Sequence, residues 1–440
     1  MTTFDPRRLN MFAAPLEASD WQSEQLSWKE SCFLHGGLSV MPSFRLRGPD
    51  VVRMFNDIAV NNVGRLRVGA STHLIMCSEQ GRILGHGVLV REDEDTYRTH
   101  VHAMHVRYPL ASGRYDVTAE ELTGTRFHYQ VGGPRSLEVV ESALGEDLHD
   151  IRFLRHRPVK ATRLALTGGP VEVLRLGMCG TLAYEIHGNV ADAPAVYEAL
   201  MAAGQPVGIR VLGTLVYMNT LHTETGFPNE YIHFLPAFGD DPGMLEFLRA
   251  EGLLMVPESM GSAGPDPSAS YVTPYDVGWG HMVKFDHDFK GRAALEALAA
   301  DPPRRLVTLE WNTDDVLGTA RSLFGPDEAA YPLMRMPADD RIQGGTARIY
   351  NDLVRRDGRT VGMSMGRMYS WYYRTMLSLA PVDVAHAEIG TELTVLWGAP
   401  GTRQREIRAT VRRYPYLDLP RNEKIDVSEI PGLAAESAVS

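Results

Sequence analysis

Two glutamates, Glu185 and Glu224, frame the stretch of the chain richest in chemistry, LGMCGTLAYEIHGNVADAPAVYEALMAAGQPVGIRVLGTLVYMNTLHTETGF from Leu176 to Phe227. Leu182, Tyr184 and Ile186 alternate with Ala183, Glu185 and His187, which puts Glu185 on the strand face opposite Tyr184. A carboxylate beside apolar and aromatic residues is poorly solvated unless something pairs with it. Two roles answer that need. Either the glutamates are exposed or ion-paired structural residues, or they accept two parallel N–H bonds from the edge of a flat, donor-rich ligand. Spacing alone leaves both open.

The elements that must position them follow a repeated grammar. Between the glutamates, Asp192 can cap a helix, Pro194 suits its first turn, Val196, Leu200 and Ala203 recur at helical spacing, and Gly204 can end it. The same strand-then-helix pattern occurs at FRLRGPDVVRMFNDIAV, with Val51, Met54, Phe55 and Ile58 on one face. It occurs again from Phe127 to Gly145, with Leu137, Val140 and Leu144 as the stripe. Three such units predict an α+β core of pseudo-repeated strand and helix units. Between the first two units, THLIMCSEQGRILGHGVLVREDEDTYRTHVHAMHV reads as antiparallel strands. Trp21 and Trp28, seven apart, suit a short helix. Residues 228–275, rich in Pro, Gly and Ser, read as an irregular connection over the site, with a helix to Leu298 after it. From Arg305 strands dominate, with Asp357-Gly358 as a hairpin turn. The expected domains are a core over 1–300 with two subdomains, a β-barrel-like domain over 301–420, and a fraying tail over 421–440.

Composition narrows the function. A net charge of -11 argues against a nucleic-acid surface. No run of about 18 apolar residues predicts a membrane span, and the N-terminus lacks a signal-peptide core. Cys32, Cys77 and Cys179 are unclustered and suit buried thiols in a reducing compartment, so the expected location is cytoplasmic. No GxGxxG follows an opening strand, which leaves a flavin or nicotinamide site unsupported. Nothing in the sequence speaks to oligomeric state.

The central stretch resembles the folate-binding heart of the glycine cleavage T-protein (aminomethyltransferase) superfamily, through Gly177 to Ile186 and through Thr220, Leu221, Glu224 and Gly226. The likeness is closer to its tetrahydrofolate-dependent aromatic O-demethylases, of vanillate, syringate and sesamin-metabolising type. It is carried by WNTDD at 311–315, TPYDVGWGHMVKFDHDFKGRAALEAL from Thr273, VGMSMGRMYS, LSLAPVD and IGTELTVLWG, and covers about Trp21 to Asp418. The resemblance implies tetrahydrofolate as cofactor and transfer of a methyl or methylene group from a small aryl ether to its N5. Same-fold alternatives are aminomethyl transfer and demethylation of a small amine or sulfonium; a non-catalytic folate-binding protein is the alternative of a different class.

The same resemblance assigns residues. Glu185 and Glu224 match the folate-contacting glutamates, Gln130 a folate-contacting glutamine, and Phe227 an aromatic that packs on the pterin; Tyr184, Tyr369 and Trp371 are further aromatic candidates. A proton donor for the departing phenoxide matches Tyr217, four residues after Gly213. One residue is inserted before Glu224, so counting back from that glutamate reaches Met218, which cannot donate. Gly85 and His86 stand where aminomethyltransferases carry aspartates. Relative to the vanillate enzymes, Ala14, Val40 and Thr99 replace a tyrosine, a histidine and the arginine that holds the substrate carboxylate, which points to a neutral aryl ether or a methylenedioxy lignan. His100, His102 and His86 are the substrate-facing candidates, with His35 and His105 behind them. No Cys, Asp or Glu joins His100 and His102, so no metal is expected.

Overall fold

The computed structural model describes residues 17–100, 103–325, 328–339, 342–343 and 346–432. Its α+β architecture rests on three sheets. The three strand-to-helix units form as their periodicity requires. Strands Ser43–Arg47, Arg126–Gly132 and Ala183–Asn189 lead into helices Val51–Ile58, Ser136–Leu144 and Ala193–Gly204. Leu137, Val140, Leu144, Val196 and Leu200 are buried on the apolar stripes of the second and third helices. These helices cover one face of a six-stranded sheet, where Tyr129, Val131, Val173, Tyr184 and Ile186 complete the core.

The opposite face of that sheet carries polar side chains in rows. His35, Gln130 and Glu185 are cross-strand neighbours on three adjacent strands, and His128 pairs with His187 one step along. Because side chains alternate with a period of two, both rows share one face. A five-stranded antiparallel sheet stands beside them and ends in His100, opposite Ser43 and Val88.

The C-terminal strands close. Thr346–Arg356 pairs with Arg359–Ser370 through the Asp357-Gly358 turn, and also with Glu392–Trp397, so six strands form a barrel around Leu309, Val395, Ile407 and Val411. Helix Trp21–Glu30, capped by Asp20, ties the barrel to the core: the Gln25 amide donates to the Tyr369 carbonyl and accepts from the Trp371 amide.

Several details differ from the sequence reading. Asp192 does not cap its helix; its carboxylate accepts from the amides of Thr167 and Gly168, drawn off by an incoming loop. The segment 228–275 is not wholly irregular. It contains the helix Pro242–Ala250, capped by Asp241, and a short strand, Glu258–Met260, that joins the barrel sheet. Residues 421–432 pack rather than fray, because the Arg175 guanidinium donates to Asn422 Oδ1 and to the carbonyls of Asn422 and Ile425, while Val427 enters the core.

Ending the chain at Pro420 strands that buried guanidinium without acceptors. The expected loss is about 1–3 kcal/mol of stability, read as a lower urea midpoint, and an unchanged midpoint refutes the packing role of this segment.

Candidate active site

A cavity of about 740 Å³ opens between the six- and five-stranded sheets and is walled largely by apolar groups, among them Leu38, Val40, Met41, Val88, Met218 and Met255. His35, His86, His100, Glu185, Tyr217 and Phe227 all line it.

Tyr217 reaches the cavity from an uncommon element. Leu215–Leu221 is a π-helical turn, which passes directly into helix His222–Thr225. A wide turn accommodates one extra residue without rotating the helix beyond it, and such turns gather at functional sites. Both Tyr217 and Met218 line the wall, and of the two only Tyr217 carries a hydroxyl. Gly226 ends the segment at φ 70°, and a Cβ there would lie 2.5 Å from Pro415, just beyond the last barrel strand, so only glycine fits.

One amide organises the polar end of the cavity. Gln130 Nε2 donates to Glu185 Oε1 at 3.1 Å, and Gln130 Oε1 accepts from the Tyr217 hydroxyl at 3.3 Å. The Tyr217 ring is stacked on His35, with centroids 3.6 Å apart and planes 8° apart. His35 Nδ1 is fixed against the Leu212 carbonyl at 3.1 Å. Burial pushes the Glu185 carboxyl up to about 7, holds the Tyr217 hydroxyl well above its ordinary value, and pushes His35 down to about 3. At neutral pH Tyr217 carries its proton and His35 is neutral.

Behind Glu185 lie three histidines that burial keeps neutral, His100, His128 and His187. His128 Nδ1 meets His100 Nδ1 at 3.3 Å, and Arg98 donates to His187 Nδ1 at 2.9 Å. Glu185 Oε2 lies 3.0 Å from His128 Nε2 and 3.4 Å from His187 Nε2. The Nε2 atom of His100 is buried without a hydrogen-bond partner. His128, Glu185 and His187 stand close enough to hold a metal ion. Arg98 opposes that: an arginine only donates, so His187 Nδ1 is an acceptor and the neutral ring carries its proton on Nε2, leaving no lone pair there for a metal. Arg98 itself is bound to Glu92 and Glu172 at 2.6 and 2.7 Å, unavailable to a substrate carboxylate.

The remaining candidates stand apart from the cavity. Glu224 is fully buried, but its carboxylate accepts from Trp28 Nε1 at 3.0 Å and Ser370 Oγ at 2.6 Å and pairs with Lys29, so it links the N-terminal helix to the barrel. Tyr184 is in the core on the far side of the sheet, as the alternation requires. Trp371 sits at a barrel turn under the Arg374 guanidinium and against Trp21, near Tyr369. His102 and Ala14 lie outside the described residues. The reading of residues missed His128 and His187, although each is two positions from a residue already chosen, Gln130 or Glu185, so strand alternation alone could have found them. It also missed Glu230 on the cavity wall, which sits in a Pro-rich stretch with no periodic signal.

The fold is that of an aminomethyltransferase: the solved structure of glycine cleavage system aminomethyltransferase T from Bartonella henselae matches 93% of this chain and 92% of its own with a TM-score of 0.65, at 17% identity. The chain belongs to the GCVT family, whose N-terminal domain matches residues 11–231. It is similar to sesamin methylene transferase of a Sinomonas species, 42% identical over 95% of this chain and 93% of the relative. It is also similar to syringate O-demethylase of a Sphingobium species, 30% identical over 94% and 92%.

The raised carboxyl of Glu185 makes a stability prediction. Between its ordinary 4.5 and about 7, the folded group holds a proton that the unfolded chain has released, so its contribution to stability falls as pH rises through that window. Glu185→Gln removes this loss, on the order of 3 kcal/mol in full. Urea unfolding of both proteins at pH 5 and about pH 8 reads it, and parallel pH profiles count against a protonated Glu185.

Proposed function

We propose that this chain moves a one-carbon group from an aryl ether to tetrahydrofolate, releasing a phenol or catechol. The observation that carries the reading is the hydrogen-bonded line Glu185–Gln130–Tyr217, which holds a protonated tyrosine on the wall of a largely apolar cavity. A phenoxide leaves poorly without a donor, and a buried tyrosine that keeps its proton supplies one.

Tetrahydrofolate fits the residues present. Glu185 offers a carboxyl edge, and the buried, unpartnered Nε2 atom of His100 on the same cavity is a polar group that a heteroatom-rich ring would satisfy. Phe227, held among His73, Trp279 and His86, offers a flat apolar face. When bound, tetrahydrofolate supplies a nucleophilic amine that accepts the carbon. Gln130 orients both Glu185 and Tyr217, and His35 keeps the tyrosine ring from turning.

The substrate is a neutral methoxy- or methylenedioxyarene. Arg126 is the single arginine or lysine on the wall among the described residues, and it lies 3.6 Å from Glu172; Arg98 is fully engaged. No helix among the described residues is long and apolar enough to cross a membrane. The three buried free cysteines suit a reducing compartment, so the protein works in the cytoplasm.

Incubation with tetrahydrofolate and a panel of methoxy- and methylenedioxyarenes should yield 5-methyl- or 5,10-methylene-tetrahydrofolate, identified by mass spectrometry. Tyr217→Phe should cut turnover by about 10²–10⁴ while folate binding persists; full turnover in that variant sinks the tyrosine as donor. Glu185→Ala should weaken folate binding in calorimetry, and undiminished affinity removes it from the pterin site.

A further inference from the structure

One more acid lines the cavity, apart from the line Glu185–Gln130–Tyr217. Glu230 lies three residues beyond Phe227, in a turn fixed by a backbone bridge to Phe234. Its backbone amide donates to His86 Nε2 at 3.4 Å, and His86 Nδ1 in turn meets His73 Nε2 at 2.9 Å. The residue is 7% exposed. Its Oε2 is buried without a hydrogen-bond partner.

Other buried glutamates in this chain are spoken for. Glu24 accepts from the amides of Ala18, Ser19 and Gly213, Glu141 accepts from the Leu148 amide beside His149, and Glu224 has Trp28, Ser370 and Lys29. A carboxyl retained for structure has its oxygens satisfied in this manner. Glu230 has only the backbone amide of His86 facing its carboxyl, its Oε2 is left without a partner, and among the described residues it is in no ion pair. His86, Phe227, Asn229 and Tyr231 stand on the same wall. Burial pushes its carboxyl up to about 8, so at neutral pH it holds a transferable proton.

We propose that Glu230 is a second proton donor of this cavity, protonating an aryl oxygen as the bond between that oxygen and the transferred carbon breaks. The role rests on the aryl ether reading of the same cavity. The electron pair of the breaking carbon–oxygen bond stays on the oxygen, which takes the Glu230 proton and leaves as a phenol. The carbon gains its new bond to the folate amine, and the proton that amine loses returns to the Glu230 carboxylate, so protons balance without a further reactant. A methylenedioxy carbon is bonded to two aryl oxygens, and both must leave as hydroxyls for the carbon to be transferred as methylene: as the second bond breaks, its oxygen takes the Tyr217 proton, the carbon forms a second bond to a second folate amine, and the proton that amine loses returns to the Tyr217 oxygen. Two proton-bearing acids on one cavity, Tyr217 and Glu230, match that demand, whereas a single methoxy group needs one.

The test compares wild type, Glu230→Gln and Glu230→Asp. In the folate-free protein at neutral pH, the infrared difference spectrum of wild type minus Glu230→Gln should show a protonated carboxyl band. Folate affinity and thermal midpoint should stay near wild type, which establishes that the variant is folded. Turnover is then measured across methylenedioxyarenes whose ring substituents make the product phenol more or less acidic. Glu230→Gln should lose about 10²–10⁴ with the least acidic phenols and progressively less as the leaving oxygen becomes more acidic, and Glu230→Asp should recover part of the loss. An equal loss across the series, no loss, or absence of the protonated band overturns the role. If wild type binds folate but turns over none of the ethers while the band persists, the aryl ether reading has failed, and the assignment of Glu230 falls with it.

Discussion

The carboxamide of Gln130 is bonded at both ends, donating to Glu185 and accepting from Tyr217. An amide buried at the base of a cavity has few ways to satisfy both its oxygen and its nitrogen, and this arrangement uses one on each side. It can exist only because strand Arg126–Gly132 runs between strands Phe33–His35 and Ala183–Asn189 in a register that sets His35, Gln130 and Glu185 side by side. A slip of one residue in that central strand would send Gln130 into the aromatic core and bring Val131 to the cavity. The apolar helices on the far face therefore do more than stabilise the sheet. By demanding Tyr129, Val131, Tyr184 and Ile186 on their side, they hold the polar row on the other.

Low solvation then sorts the ionisable groups by charge. Burial raises the carboxyls of Glu185 and Glu230 and the hydroxyl of Tyr217, and lowers His35, His100, His128 and His187. The consequence is a cavity furnished with neutral proton donors and neutral imidazoles. The buried cation Arg98 is offset by Glu92 and Glu172 just outside it. Such an interior suits a reaction whose charge appears chiefly on a departing oxygen, where a donor held at short range is worth more than it would be in water.

The barrel and the N-terminal helix reach this centre indirectly. Glu224 joins Trp28 and Lys29 of the helix to Ser370 of the barrel, and Glu24 accepts from the Gly213 amide just ahead of the turn that carries Tyr217. The position of Tyr217 is thus set from both sides: by Gln130 and His35 within the sheet, and by a helix that is itself bolted to the barrel through Gln25.

What the sequence determined alone is local and periodic. Alternation at Leu182–His187 set which face Glu185 occupies, apolar stripes marked the helices at Val51, Ser136 and Ala193, Asp357-Gly358 marked the hairpin, and short motifs carried the family. Those signals suffice because each arises from neighbours along one chain segment. What only the tertiary structure decided depends on residues far apart in sequence. The fates of Glu185 and Glu224 could not be separated by spacing, since one meets Gln130 across a strand pair and the other meets Lys29, Trp28 and Ser370 from two other elements. The π-turn that presents Tyr217, the docking of Arg175 onto Asn422, and the burial of Glu230 Oε2 without a hydrogen-bond partner are likewise products of packing. Whether a buried acid is paired or left holding its proton depends on what the rest of the chain brings against it.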